Sequence, residues 1–391
     1  MEDPITKIRM TASPVSMGLF GKIKDGGPVL REQAAELHWD TEDPFMFASH
    51  HFDDYPKGNR QQAPPLEEIK KRSLGHDYRP QYGYRMYGGK VAPGFPLHTH
   101  WGYETVTICS EGYVDHFDSL GNQGRYGYGD VQWLTAPCRY GHCEMYPLAF
   151  ADRDNHHRVT QIMIHIPNEL KNGEAELNNV WAEDVPEIRG NGYLAHVYAG
   201  TYGGKTGIVP NSRSWAADPA HRVRIVSFET EPGAEIKIDP TSETACRNVY
   251  LTDCGATVGG KDYIPQTRLK MKPGEEVAIV NGDKKNEIWL LEGEPIGQKM
   301  CSFGPVVLAT DKEVREANAA IRKEEYKDWP WNFINKTQPV GTDRFIRYAD
   351  GREERPASKD PRELPPAVPF PDEPAEEKKE YVPAPDYWNE E

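Results

Sequence analysis

The sequence predicts an all-β protein whose strands form two barrel or sandwich domains in series. Glycine (35) and proline (33) together account for 68 of the 391 residues, well above their usual combined share of about 12%. Aromatic residues make up 10% of the chain, with 20 tyrosines, and such residues favour strands. Short strand-like segments also recur at close intervals between turns that contain glycine, which is typical of a barrel or sandwich.

Two sets of strands follow an N-terminal stretch that is predicted to be irregular. Residues 1–80 show only a charged segment at 66–72 that could form one or two helical turns. The first set of strands is predicted at residues 105–109, 113–117, 131–134 and 159–166. After a polar stretch at 168–191, the second set is predicted at 194–198, 222–229, 234–238, 248–251, 277–280 and 287–291.

One helix and a polar tail are predicted at the C-terminal end. Residues 310–313 (TDKE) have the order of a capping box, in which Thr and Glu side chains satisfy each other's backbone N–H groups. An approximate apolar stripe follows at Val314, Ala317, Ile321 and Tyr326. Residues 350–391 carry nine prolines among charged side chains, a composition too polar to form a core. We expect a solvated tail, with Tyr381, Tyr387 and Trp388 available as anchors for the body or a partner.

Charge and hydropathy exclude several classes of function. Lysine and arginine number 46 against 61 aspartates and glutamates, a formal net charge of −15, so direct binding to nucleic acid phosphates is not expected. No apolar run approaches the ~18 residues of a membrane span. The acidic start (MED) does not resemble a secretory signal, and the six cysteines lack any CxxC pair. We therefore expect an intracellular protein, cytoplasmic or nuclear, with an organelle left open, whose thiols are reduced.

Two histidine-containing pairs form the strongest chemical signal. His98 and His100 lie two residues apart, as do His142 and Glu144, so in strands each pair points to one side. Glu104 has the same parity as the first pair and would join them if no bulge intervenes. Such a pocket of three imidazoles and one carboxylate suits Fe(II), Mn(II), Ni(II) or Zn(II). The residues alone leave open which glutamate is the ligand, and His116, His165 and His196 look ordinary.

These segments carry a family resemblance. Residues 94–100 (GFPLHTH) and 103–107 (YETVT) resemble the first metal motif of the pirin family, within the cupin superfamily. The match continues at residues 118–122 (DSLGN) and 129–136 (GDVQWLTA) and ends at 142–145 (HCEM). Residues 293–297 (GEPIG) and 303–305 (FGP) are similar to the family's second half. The resemblance runs from about residue 43 to 323 and is densest at 94–145.

The resemblance implies a fold and a ligand set. Pirins are tandem cupins with iron only in the N-terminal barrel, which implies His98, His100, His142 and Glu144 as ligands and leaves Glu104 as a nearby supporting carboxylate. Segment 241–249 offers Cys246 but no second His-x-His pair. The expected organisation is an N-terminal extension and insertion (1–84) that partly enters the first barrel, a metal-binding cupin (85–185), a metal-free cupin (190–330) and a Pro-rich acidic tail (331–391).

Two functions from different classes follow from this resemblance. The first is a metal-dependent dioxygenase of the quercetin or flavonol type, most simply with Fe(II), with a small aromatic substrate and with Glu144 or Glu104 as the base. The second is a non-catalytic accessory subunit that binds protein partners through the N-terminal extension, the 55–84 insertion and the tail. The chain departs from the family pattern at residues 136–141 (APCRYG) and at Trp101, so we expect bulky side chains to crowd the mouth of the metal site.

Overall fold

Antiparallel strands build nearly all of the computed structural model, which describes residues 27–324, 327–358, 360 and 362–365. The strands of the N-terminal half are β1 (Val29–Ala34), β2 (His38–Trp39), β3 (Phe45–Tyr55), β4 (Gly94–His100), β5 (Tyr103–Glu111), β6 (Tyr113–Asp118), β7 (Gln123–Gly127), β8 (Asp130–Ala136), β9 (Tyr140–Met145), β10 (Asn155–His165) and β11 (Glu176–Val180). Those of the C-terminal half are β12 (Glu187–Gly190), β13 (Tyr193–Ala199), β14 (Thr201–Tyr202), β15 (Lys205–Thr206), β16 (Arg224–Thr230), β17 (Glu235–Ile238), β18 (Cys246–Leu251), β19 (Ala256–Val258), β20 (Lys261–Tyr263), β21 (Thr267–Met271), β22 (Val277–Asn281), β23 (Asn286–Gly293), β24 (Cys301–Phe303) and β25 (Val306–Leu308). Two short strands follow near the C-terminus, β26 (Phe345–Arg347) and β27 (Glu353–Glu354).

Helical structure is limited to two α-helices and four short 3₁₀ turns among the described residues. The helices are α1 (Leu66–Ile69) and α2 (Asp311–Glu324), and the turns are Asn168–Leu170, Ala182–Asp184, Trp215–Ala217 and Pro219–His221. The predicted capping box is present, because Thr310 N–H donates to Glu313 Oε2 at 2.9 Å and Glu313 N–H donates to Thr310 Oγ1 at 3.2 Å. None of the described helices is long and apolar enough to cross a membrane.

Each half of the chain forms a double-sheet barrel, as the sequence predicts. In the first barrel, the sheet β11-β8-β5-β10-β3-β2 accompanies the sheet β27-β26-β7-β6-β9-β4. In the second, the sheet β1-β21-β18-β23-β16-β13-β12 accompanies the sheet β17-β22-β19-β20. Alternating apolar side chains such as Val226, Phe228, Leu269 and Ile288 are fully buried in the core of the second barrel, as expected for half-buried strands.

A second apolar cluster joins the two barrels. It combines Val106, Ile108 and Trp133 of the first barrel with side chains of the second, including Tyr250 and Trp289. Trp39 stacks on Tyr250 with ring centroids 4.4 Å apart. Because the same cluster contains fully buried residues from both halves, the two barrels share part of their core.

The prediction that residues 1–80 are irregular is wrong for strands β1, β2 and β3. Strand β3 pairs with β10 along nearly its whole length and so belongs to the first barrel. Strand β1 instead pairs with β21 of the second barrel. The predicted helical turn is present as α1, and Ile69 packs there against Tyr55 and Tyr84, so the inserted segment lies on the body of the protein.

The segment just before the predicted solvated tail belongs to the first barrel, whereas most of the described residues at 350–358 are exposed. Strand β26 extends the first barrel by pairing with β7. Phe345 and Ile346 are buried there, and Arg344 forms a buried ion pair with Asp130 at 2.8 Å. Residues 1–26 lie outside the described residues, as do Tyr326 and the proposed anchors Tyr381, Tyr387 and Trp388.

Candidate metal site

The pairing of β4 with β9 brings three histidines together. His98 lies opposite His142 in this register, and a bulge separates Phe95 from His98. The Nε2 atom of His142 lies 2.9 Å from that of His98 and 2.8 Å from that of His100. Both strands therefore contribute imidazoles to one group, whose potential ligand atoms all lie within 4.8 Å of one another.

Burial keeps these imidazoles neutral. His100 and His142 are buried, whereas 27% of the His98 side chain is exposed. Loss of solvent lowers the pKa of His98 to about 4, and it lowers the pKa values of His100 and His142 well below their usual value. His98 Nδ1 lies 3.0 Å from the carbonyl oxygen of Pro96, so a proton on Nδ1 would leave the Nε2 lone pair facing the other rings.

The donor set fits a metal ion. The Nε2 atom of His142 contacts two other ring nitrogens, and hydrogen bonds cannot satisfy both contacts with all three atoms, because each neutral ring carries a single N–H. Convergent lone pairs are the arrangement that a transition metal binds, at about 2.0–2.1 Å from each nitrogen for zinc. Across the described ranges, this is the only group of three such side chains with the separations of metal ligands, and it lies in the first barrel.

Glu144 adds a carboxylate beside the histidines. Its Oε2 lies 3.5 Å from His142 Nε2 and 3.7 Å from His98 Nε2. Gln161 Nε2 lies 3.4 Å from both carboxylate oxygens, and burial raises the pKa of Glu144 to about 7. Glu144 thus lies where the fourth ligand implied by the family resemblance would be.

Glu104 does not join this group, and the prediction that it points towards the histidines is wrong. Gly102, with φ of +93°, turns the chain between β4 and β5, so the parity of His98 and His100 does not continue to Glu104. The Glu104 carboxylate instead accepts hydrogen bonds from Trp133 Nε1 at 2.7 Å and Thr135 Oγ1 at 2.9 Å. Burial there raises the pKa of Glu104 to about 7.

A second histidine–carboxylate pair lies behind the site and was missed by the sequence analysis. His116 is buried with its ring centroid 5.4 Å from that of His142, and its Nε2 lies 3.1 Å from Asp118 Oδ2. The same carboxylate oxygen accepts the Tyr140 hydroxyl and, at 2.7 Å, the Asn122 amide. The signal was available in the sequence, because His116-x-Asp118 repeats the spacing of His142-x-Glu144.

One of the side chains expected to crowd the mouth lies elsewhere. Trp101 packs with Val306 and Val314, where it contacts the β24–β25 hairpin and helix α2. Tyr140 lies beside the histidines, with its ring centroid 5.9 Å from that of His142, but it is buried and directs its hydroxyl to Asp118. The crowding prediction is therefore wrong for Trp101, while Cys138 and Arg139 are half-buried in the loop before β9.

Comparisons with known proteins agree with this architecture. The Pirin family model matches residues 31–164, and the model of the pirin C-terminal cupin domain matches residues 225–327. Human pirin is 26% identical over 286 residues, which cover 69% of this chain and 94% of that protein. A Pseudomonas aeruginosa protein provisionally named quercetin 2,3-dioxygenase is 25% identical over 227 residues, covering 57% of this chain and 76% of that protein.

A solved structure shows the same fold. The crystal structure of quercetin 2,3-dioxygenase from Acinetobacter baumannii superposes with a TM-score of 0.60 at 19% sequence identity, covering 77% of this chain and 98% of that one. Both barrels and the motif segments are thus accounted for by one family. The chain belongs to the pirin family and is built from that family's two cupin domains.

Proposed function

We propose that the N-terminal barrel binds one divalent transition metal, iron by preference, and that the protein is a metal-dependent dioxygenase acting on flavonol-like aromatic substrates. The observation that supports this proposal is the convergence of three imidazoles, because the Nε2 atoms of His98 and His100 lie 2.9 Å and 2.8 Å from that of His142. The resemblance of the chain to a protein provisionally named quercetin 2,3-dioxygenase supports the choice of substrate class.

The ligand chemistry favours a borderline transition metal. Three neutral imidazoles and one carboxylate suit Fe(II), Mn(II), Ni(II) and Zn(II), and metal supply decides among them. When bound, iron would supply the electron-transfer chemistry that allows dioxygen to react with an organic substrate. A single metal is proposed, and we expect the second barrel to bind none.

The protein's own residues would bind and orient the substrate. The ionised Glu144 carboxylate can accept the proton of a substrate hydroxyl, since burial raises the pKa of Glu144 to about 7 and so makes the carboxylate a stronger base. Gln161, which also donates to Thr107 Oγ1 at 3.1 Å, would keep the carboxylate in place. Tyr103, with its ring centroid 5.0 Å from that of His100, excludes water from the interior side.

The exposed edge of His98 marks the side from which a substrate would enter. The Phe95 ring lies 6.1 Å from the His98 ring, and both side chains are only partly buried. A flat aromatic molecule could stack against Phe95 while its oxygen atoms reach the metal ligands.

The accessory-subunit alternative loses part of its support. It depended on the tail and the insertion being surplus to folding, whereas β26 completes a sheet of the first barrel and Ile69 packs into a core cluster. Protein partners of the exposed parts of these segments remain a separate proposal.

Oxygen uptake tests the catalytic proposal directly. We expect iron-loaded protein to consume dioxygen in the presence of quercetin with a turnover number of about 1–1000 per second, the ordinary range for enzymes. Gln161→Leu should keep the metal but slow turnover, whereas His196→Ala, in the second barrel, should match the wild type. No oxygen uptake by protein that holds one iron per chain would contradict catalysis while leaving the metal site intact.

A further inference from the structure

A cleft separate from the metal site lies where the first barrel meets helix α2. It encloses about 320 Å³, and none of the metal-binding residues lines it. Trp101 and Leu308 form apolar walls, Ala317 and Ala320 of α2 form another side, and polar groups come from Asn168, Lys171, Asn172, Glu313 and Glu316. Pockets of about 300 Å³ and above commonly hold small molecules.

Lys171 is the unusual residue of this cleft. It is only 3% exposed, and its ammonium donates to the carbonyl oxygen of Val307 at 2.9 Å. Among the described residues no carboxylate lies within ion-pair distance of it, although a buried cation normally has such a partner. Burial lowers the pKa of Lys171 to about 8, which agrees with an ammonium that lacks a close counter-charge.

The acidic residues of the cleft are already engaged elsewhere. Glu313 accepts hydrogen bonds from the Thr310 N–H at 2.9 Å and the Thr310 hydroxyl at 2.8 Å as part of the helix cap. Glu316 is mostly exposed and lies 3.7 Å from Lys312. Neither glutamate forms an ion pair with Lys171, although the negative charge of Glu313 opposes part of the lowering of the Lys171 pKa.

Asn168, which also lines the cleft, is a second and independent indication of a ligand. Its amide nitrogen donates to the Lys299 carbonyl oxygen at 3.1 Å, but its Oδ1 is buried without a hydrogen-bond partner. An unsatisfied buried acceptor costs about 1–3 kcal/mol, so its presence in a cleft indicates a missing donor. The Trp101 side chain adds a flat apolar wall against which a ring could pack.

We propose that this cleft is a second ligand site, separate from the metal site, which binds a small aromatic carboxylate that also carries a hydroxyl group. The carboxylate pairs with the Lys171 ammonium, the hydroxyl donates to Asn168 Oδ1, and the ring packs against Trp101. The ligand thus supplies a counter-charge for Lys171, a donor for Asn168 Oδ1 and a ring for the apolar wall at Trp101. The proposal does not depend on catalysis at the metal.

Calorimetric titration with 4-hydroxybenzoate tests the site. We expect saturable binding by the wild-type protein, weakened about tenfold or more by Lys171→Met because a charged hydrogen bond is lost. Asn168→Leu should weaken the binding of 4-hydroxybenzoate but should not change the binding of benzoate, because benzoate has no hydroxyl group. The neutral analogue 4-hydroxybenzamide should bind the wild type more weakly than 4-hydroxybenzoate does. It should bind Lys171→Met as tightly as it binds the wild type.

Two control variants distinguish binding in this cleft from binding at the metal site or to surface charges. Lys205→Met, at an exposed position in β15, should bind like the wild type, and His142→Ala should also bind, because the metal is not involved. If Lys171→Met fails to fold, Asn168→Leu and the comparison of the three probes still decide the question. Absence of binding to the wild type at about 1 mM, equal binding by Lys171→Met, or loss of binding in His142→Ala would each overturn the proposal.

Discussion

Burial turns ordinary histidine side chains into a ligand set in this protein. An imidazole in water is about half protonated near pH 6.5, whereas burial lowers the pKa of His98 to about 4 and leaves its nitrogen lone pair available at neutral pH. The sequence predicts His98, His100, His142 and Glu144 correctly as neighbours, because two-residue spacing on a strand determines the side on which each side chain lies. It fails for Glu104, because residue parity cannot reveal that Gly102 turns the chain from one sheet into the other.

Glu104 yields a prediction for stability and pH. Its folded-state pKa of about 7 lies above the usual 4.5, so the folded state binds a proton more tightly than the unfolded state. This tighter proton binding stabilises the folded state fully below pH 4.5, and the stabilisation is lost as the pH rises through the folded-state pKa of about 7. Glu104→Gln keeps an acceptor for Trp133 without the charge, and above pH 7 we expect it to be more stable than the wild type by up to about 3 kcal/mol.

Urea unfolding at pH 5 and pH 8 provides the measurement for this prediction. The stability difference between Glu104→Gln and the wild type should be larger at pH 8 than at pH 5. The control Glu235→Gln changes an exposed carboxylate in β17 and should show no such difference. A pH-independent effect of Glu104→Gln would contradict the burial argument.

At the level of elements, the first barrel is completed by segments far from it in sequence. Strand β26 adds to β7, and the Leu97 N–H beside the metal ligands donates to the Ile334 carbonyl oxygen at 2.7 Å. Trp331 Nε1 donates at 2.8 Å to the carbonyl oxygen of Asp118. The sequence could not predict this, because β26 is only three residues long and local patterning does not reveal which distant strand it pairs with.

Ile346 in β26 tests whether this segment is part of the folded body. It is 1% exposed and packs with Val114, Tyr126 and Trp181. We expect Ile346→Ala to lower the free energy of unfolding by about 2–5 kcal/mol, as for other buried aliphatic truncations. Val209→Ala, at a position that is 79% exposed, should change it by less than about 0.5 kcal/mol. Equal stability of the two variants would show that β26 is dispensable.

At the scale of the whole molecule, the shared core should make the two barrels unfold together. The sequence predicts two β-domains in series, but it does not predict that β1 crosses into the second barrel or that Trp39 stacks on Tyr250. Contacts between distant segments depend on how the halves pack, and strand periodicity carries no information about that packing.

Calorimetry can determine whether the barrels are coupled. We expect one thermal transition for the full chain, because separating the barrels would expose the joint cluster around Trp289, which is fully buried. Trp289→Ala should lower the midpoint temperature of that transition, because it removes a large buried ring. Two well-separated transitions in the wild type would show that the barrels are independent folding units.

The central claim is a single metal held by His98, His100 and His142, and elemental analysis of the purified chain tests it most directly. We predict one equivalent of a transition metal in the wild type and in His196→Ala, whose ring lies in the second barrel next to Glu229. His142→Ala, which removes the nitrogen in contact with both other ligands, should hold almost none while its circular dichroism spectrum stays that of a β-protein. Full metal content in folded His142→Ala, or a metal-free wild type after reconstitution with Fe(II), Mn(II), Ni(II) and Zn(II), would contradict the claim.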